Sequence, residues 1–257
     1  MSARAIWKGV VRFGTASLPV KLYSAVQDTS IHFHLLHDQD LVRLKQRMVN
    51  PDTGKTVNYS EAKRGFEVER GVFVVMENEL LQSLEPQESR DIEITRFVPP
   101  GAIDSQWYDR PYYLGPDDEE DADYFALVDA LKRQKREGVA KWAMRKKTYV
   151  GTLRVEGDYL MLMTLRYAGQ VISASELEPP AGRKLDTKEL QLAEKLLSTL
   201  EDKFDPADYR DEYKDRVMEL IETKAKGGKV EVKKRPKSKP KKTSLAEMLE
   251  ASLHQAG

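Results

Sequence analysis

Thr148-Tyr149-Val150-Gly151-Thr152-Leu153-Arg154-Val155, then Glu156-Gly157-Asp158, then Tyr159-Leu160-Met161-Leu162-Met163-Thr164-Leu165 reads as two β-strands and the tight turn between them. Both runs are rich in β-branched, aromatic and long apolar side chains that pack on a pleated surface. Gly157-Asp158 is a two-residue hairpin connection with glycine where a positive φ is needed. Shorter runs of the same kind precede it at Lys21 to Val26, Val72 to Met76 and Ile92 to Val98, where Ile92-Glu93-Ile94-Thr95 alternates at period two. One helix interrupts them, from Tyr124 to about Arg136, with Phe125, Val128 and Leu131 on one face and Gly138 just beyond its end. Closely spaced strands with a single helical insert favour a barrel or sandwich over βαβ units, so the chain is expected to be mainly β with helices.

The period changes after residue 185. Asp186 followed by Glu189 forms a capping-box pattern, and Leu190, Ala193, Leu196, Leu197, Leu200 and Phe204 trace a helical stripe that Pro206 ends. Asp205 with Pro206 then predicts a second helix bearing Tyr209, Tyr213, Val217, Leu220 and Ile221, stopped by Gly227-Gly228. A last short helix is predicted from Ser244, with Glu247 three residues on and Leu245, Met248, Leu249 and Leu253 on one side. Beyond a linker, such a stripe either packs back on its own domain or docks in a partner groove.

With 257 residues, 40% of them hydrophobic, the chain can bury one large core or two smaller ones. It has no Cys, which excludes disulfides, thiolate zinc sites and a cysteine nucleophile. No apolar run approaches the roughly 20 residues of a membrane span, and Met1 to Lys8 is too polar for a secretory segment, so a cytoplasmic protein without a membrane partner is expected.

The net charge of zero conceals an imbalance. Residues 224–242 hold ten basic side chains against one acid, Glu231, and the rest of the chain has 32 basic and 41 acidic residues. The ribbon includes Lys229, Lys233, Lys234, Arg235, Lys237, Lys239, Lys241 and Lys242 with two prolines and two glycines. It cannot bury an apolar face and suits a polyanionic partner. Two further groups lie inside the predicted fold: Arg43, Lys45 and Arg47 with Lys63 and Arg64, and Lys132, Arg133, Lys141, Arg145, Lys146 and Lys147. Either group is a candidate for phosphate contacts or a solvated face. No base-reading motif accompanies them, so any DNA binding should be directed to the backbone.

The strongest pointer to an enzyme is Ile31-His32-Phe33-His34-Leu35-Leu36-His37-Asp38. In a strand, His32 and His34 would point the same way, as a metal pair does. A metal-dependent nucleic-acid-processing enzyme centred on His32, His34 and His37 is therefore the alternative reading, although packing or surface histidines produce the same pattern. The acidic run Asp117 to Asp121 lacks EF-hand spacing and reads as a solvated loop.

Several segments carry a resemblance. Ile6-Trp7-Lys8-Gly9, Phe13-Gly14, Leu18-Pro19-Val20-Lys21-Leu22-Tyr23-Ser24-Ala25 and Phe33-His34-Leu35-Leu36-His37 resemble the opening of the bacterial Ku proteins. The similarity continues through Ile92-Glu93-Ile94, Phe97-Val98, Ile103-Asp104, Pro111-Tyr112-Tyr113-Leu114, Asp129-Ala130-Leu131 and Thr164-Leu165-Arg166-Tyr167. It reaches Glu189-Leu190, Phe204-Asp205-Pro206, Tyr209-Arg210-Asp211-Glu212-Tyr213 and Leu249-Glu250-Ala251-Ser252-Leu253.

The resemblance implies a Ku-type β-barrel core over residues 1–185, with a DNA-encircling bridge at about 36–70 and one inserted helix. It further implies a helical arm over 186–226 for dimerisation and ligase docking, a flexible basic linker over 227–242 and a terminal amphipathic helix over 243–257. Such proteins are homodimeric rings that thread onto double-stranded DNA ends and recruit a multifunctional ATP-dependent DNA ligase for non-homologous end joining. They catalyse nothing themselves, so no cofactor, metal or catalytic residue is expected, and the location is cytoplasmic, on the bacterial nucleoid when DNA is bound. Arg43, Lys45, Arg47, Lys55, Lys63 and Arg64 are then expected on the bridge. The second basic group is expected on the ring wall, and Tyr209, Tyr213 and Leu220 at the partner-docking arm. Two departures stand out: Asn50-Pro51-Asp52-Thr53 replaces a Cys-x-x-Cys common in the family and suits a plain turn, and Gly169-Gln170 replaces an acidic pair, with Ile172 where Arg is common.

Overall fold

The computed structural model describes residues 4–87, 89–117, 122–177, 187–200, 203–227 and 248–252. In chain order the strands are β1 (Trp7–Phe13), β2 (Ala16–Ser24), β3 (Met48–Val49), β4 (Thr56–Val57), β5 (Arg64–Glu69), β6 (Val72–Met76), β7 (Asp91–Val98), β8 (Tyr108–Pro116), β9 (Glu137–Met144), β10 (Lys147–Glu156) and β11 (Tyr159–Leu165). The helices are α1 (Asn78–Ser83), α2 (Ala122–Gln134), α3 (Thr187–Thr199) and α4 (Glu212–Ala225). The chain divides into two compact units, one of residues 1–29 and 33–174, the other of residues 30–32 and 175–257.

Seven strands of the first unit close into a barrel in the order β1-β2-β8-β11-β10-β9-β7. Every pairing is antiparallel except the closing one, where β1 runs parallel to β7 with Val11 opposite Ile92. Closure removes the sheet edges that would otherwise invite pairing with another chain. One row of inward residues fills the interior: Val11, Leu22, Ile92, Leu114, Leu153, Leu160 and Leu162 are wholly shielded from solvent. Each such aliphatic side chain contributes on the order of 1.5–3 kcal/mol by leaving water.

Two glycines let tryptophans into this interior. A Cβ on Gly9 would lie 2.7 Å from the Arg90 carbonyl and collide with the Trp7 ring, and one on Gly151 would lie 2.8 Å from the Trp142 ring and collide with the Met163 carbonyl. Trp142 in turn stacks on its cross-strand partner Tyr149 at 5.4 Å. Helix α2 adds Tyr124, Leu127, Val128 and Leu131 to the same core. The buried Tyr124 hydroxyl donates to the Leu114 carbonyl (2.5 Å) and accepts from the Leu160 amide (2.8 Å), tying the helix to β8 and β11.

The quoted hairpin forms as read: Glu156 pairs with Tyr159, and Gly157 takes φ +60°. Other expectations need correcting. The strand expected at 21–26 begins at Ala16 and ends at Ser24, while β1, β8 and β9 had no local signal. In α2, Phe125 is exposed, because Tyr124 and Leu127 turn inward with Val128 and Leu131. Gly138 is not a helix cap; it lies in β9, and Lys135 (φ +49°) ends the helix.

In the second unit, the helix expected from Asp205 starts later. Asp205 caps a single 3₁₀ turn, Pro206–Asp208, by accepting from the Ala207 amide, and Asp211 caps α4 by accepting from the Lys214 amide. Tyr209 therefore sits in the link before α4, stacked at 5.3 Å on Phe204. Neither α3 nor α4 buries a single residue, and Leu190, Leu197, Leu200, Phe204, Tyr213, Met218 and Ile221 stay exposed. Residues 248–252 are helical, with Glu250 paired to Lys188 at 3.6 Å. Asp186, Ser244, Leu245 and Leu253 lie outside the described residues. No helix among the described residues is long and apolar enough to cross a membrane.

Candidate nucleic-acid interface

Between Ser24 at the end of β2 and Asp91 at the start of β7 the chain leaves the barrel and forms three small antiparallel ribbons. The first spans 35–44, closed by Leu44 N–H to the Leu35 carbonyl and His37 N–H to the Val42 carbonyl, both 2.9 Å. At its tip Asp40 accepts from the Val42 amide (3.1 Å) and from His37 Nδ1 (2.8 Å). The amide first and His37 second hold the Asp40 carboxyl below the usual aspartate range. The second ribbon pairs β3 with β4 through an Asx turn, in which Asn50 Oδ1 accepts from the Asp52 (2.9 Å) and Thr53 (3.1 Å) amides and Gly54 takes φ +67°. This is the plain turn that Asn-Pro-Asp-Thr-Gly suits. The third pairs β5 with β6, and apart from Met76 every residue of both strands is exposed, including Phe66, Val68, Val72, Phe73, Val74 and Val75.

The six cations expected on the bridge all fall on these ribbons or on the links that join them. Arg43 lies in the first, Arg47 immediately precedes β3 with Lys45 between them, Lys55 sits in the β3–β4 turn, Lys63 precedes β5 and Arg64 opens it. All six are exposed, and none has an ion-pair partner among the described residues. Only Asp52 and Glu61 oppose them between residues 43 and 64. Cations left unpaired by their own fold are free to neutralise an external polyanion.

The second group does not form one surface. Lys132 and Arg133 end α2 beside the β10–β11 turn, where Lys132 pairs with Asp158 at 3.1 Å. Arg145 and Lys146 make the β9–β10 turn at the opposite end of β9, with Lys147 opening β10. The strand holds the two ends apart by about 23 Å at roughly 3.3 Å per residue. Lys141 lies between them on the exposed face of β9, directly across from Glu93. A run of cations contiguous in sequence is thus split by a strand that the local pattern did not reveal.

Barrel closure adds residues that the sequence reading missed. Parallel β1 and β7 bring Trp7, Lys8 and Arg90 beside Arg145 and Lys146, where they line a cavity of about 540 Å³. Lys146 holds Glu85 at 2.9 Å. Lys8 (2.8 Å) and Lys21 (3.1 Å) hold Asp117, whose carboxyl these two ammonium groups push down. No spacing in the chain signals this set, because residue 7 meets residue 90 through the β1–β7 pair and residue 90 meets residue 145 through the β7–β9 pair.

The histidine reading loses its ligand set. His37 is turned to Asp40, and no three His, Asp or Glu side chains converge as a metal site among the described residues. Gln170 closes a short turn by accepting from the Tyr167 amide at 2.8 Å. Of the docking candidates, Tyr209 and Tyr213 are exposed and Leu220 is half-buried on α4. Lys229, Lys233, Lys234, Arg235, Lys237, Lys239, Lys241 and Lys242, with Asp118 to Asp121, lie outside the described residues.

Comparison with known proteins agrees with this architecture. Residues 12–192 match the model of the Ku70/Ku80 beta-barrel domain. Non-homologous end joining protein Ku 2 of Geotalea uraniireducens (strain Rf4) is 37% identical over 254 residues, covering 98% of each chain. The Ku proteins of Solibacter usitatus (strain Ellin6076), 35% identical over 93% of this chain and 89% of its own length, and of Mycobacterium tuberculosis (strain H37Rv), 33% identical over 88% and 84%, are similar in extent. The match of residues 12–192 to the Ku70/Ku80 beta-barrel model, together with relatives 33–37% identical over 88–98% of the chain, places the chain in the Ku family.

Proposed function

We propose that the protein binds the ends of double-stranded DNA without regard to sequence, as a homodimeric ring, in non-homologous end joining. The observation that carries this reading is the set of six exposed, unpaired cations on the ribbons between β2 and β7. Backbone phosphate is the ligand such a set recognises, and it carries no sequence information. The dimer is supported by the β5–β6 ribbon, since a two-stranded ribbon exposed on both faces is marginal alone and needs a covering surface. A ring admits a duplex only at a terminus, so end preference requires no base contact. The reading assigns no covalent step to this chain. An ATP-dependent DNA ligase supplies it, recruited through the apolar side chains that α4 and its link leave uncovered: Tyr209 and Tyr213 exposed, with the half-buried Leu220. The basic tail adds affinity as a cationic tether.

The test is salt dependence on a linear blunt duplex. In a homodimeric ring the triple variant Arg43→Gln/Lys45→Gln/Arg47→Gln frees up to three phosphates per subunit from neutralisation, so the slope of log K against log salt should flatten by about 0.9 for each, up to about 5 for the ring. An unchanged slope and affinity would remove the ribbons from the interface.

A further inference from the structure

We propose that the cavity at the barrel end bounded by Trp7, Lys8, Arg90, Arg145 and Lys146 is a binding site for phosphate groups, distinct from the ribbon surface. Its volume of about 540 Å³ lies within the range of small-molecule clefts, roughly 300–1,000 Å³. Among the described residues, four of its lining side chains are cationic and none is acidic; the rest are Trp7, Pro86, Ser89, Ala143 and Met144. Lys8 and Lys146 are partly neutralised by Asp117 and Glu85. Arg90 and Arg145 have no ion-pair partner among the described residues, leaving two guanidinium forks for a phosphate. The Ser89 hydroxyl accepts from the Asp91 amide at 3.0 Å and keeps its own hydrogen to donate.

The backbone of the β9–β10 turn supports the assignment. Arg145 (φ +50°) and Lys146 (φ +63°) both occupy the left-handed region, as a two-residue type I′ hairpin requires. Asn-Gly is the favoured pair there, and two long side chains with a Cβ are strained. Two cations at these positions trade backbone ease for charge at the cavity mouth. Phosphate reaches the site either from the DNA backbone or from a free polyphosphate; both present the same tetrahedral oxyanion.

The probe is inorganic tripolyphosphate, titrated by calorimetry into the full-length chain at near-physiological salt. Saturable binding at one site per chain is expected, weakened about tenfold or more in Arg90→Gln/Arg145→Gln, which removes two charged hydrogen-bond donors. Lys135→Gln/Arg136→Gln, at the other end of the barrel, should leave it intact. The variant Arg145→Asn/Lys146→Gly relaxes the turn, so it should melt at a higher temperature than the parent yet fail to bind, which separates loss of the ligand from misfolding. Displacement of tripolyphosphate by a blunt duplex identifies DNA phosphate as the occupant, whereas simultaneous binding identifies a free polyphosphate. No saturable binding, or equal loss in the Lys135/Arg136 control, overturns the proposal. Neither result bears on the ribbon cations, whose test is the salt slope.

Discussion

At the scale of single residues, the barrel is locked to α2 by one hydroxyl. Tyr124 is wholly buried and its oxygen serves both the Leu114 carbonyl and the Leu160 amide. Tyr124→Phe keeps the ring and leaves both backbone groups unpaired in the core, a change expected to cost about 1–3 kcal/mol. Denaturant unfolding should show a lower midpoint with an unchanged slope; an unshifted midpoint would mean that water or a neighbour replaces the hydroxyl. Residue scale is also where the sequence misled most. Phe125 looked like the inward aromatic and is exposed, because the helical phase is set by Tyr124 reaching for the strand backbone. Gly138 looked like a cap and is instead a strand residue, at a position where a Cβ would lie 3.1 Å from Ile94.

At the scale of elements, the β5–β6 ribbon is the surface on which the proposed dimer can be tested. Phe66 and Phe73 are exposed in strands that bury nothing else. If another copy covers them, Phe66→Ser/Phe73→Ser should shift the protein from dimer to monomer in light scattering at micromolar concentration while leaving the barrel folded. A dimer of undiminished affinity would place the interface elsewhere. The elements legible in the sequence were those whose signal is local: β10 and β11 alternate around a glycine turn, and β7 alternates Ile92-Glu93-Ile94-Thr95. Strand β1 was not, because Gly9 breaks the pattern to admit the Trp7 ring, a contact no short window encodes. Strand β9 was hidden by Gly138, Ala140 and Ala143 and by the cations around it. Its omission made the basic run from Lys132 to Lys147 look like a single patch. The ribbon cations, by contrast, all stay within the one excursion between β2 and β7.

At the scale of the whole molecule, charge and topology act together. The chain sums to zero, yet residues 224–242 are strongly basic and the remainder carries 41 acids against 32 bases. A net acidic remainder repels DNA except where unpaired cations gather, as on the ribbons. For the proposed ring, sideways adhesion to a duplex is then disfavoured relative to entry over a free end. Attraction through the tail alone would not discriminate an end from a continuous duplex, whereas a closed ring must. The most direct measurement is therefore competition between a linear duplex and a covalently closed circle of the same sequence, at near-physiological salt and with the full-length chain. Capture of the linear form, with the closed circle failing to compete until it is cut once by a nuclease, is the predicted result. Equal binding to the linear and closed forms would contradict the ring.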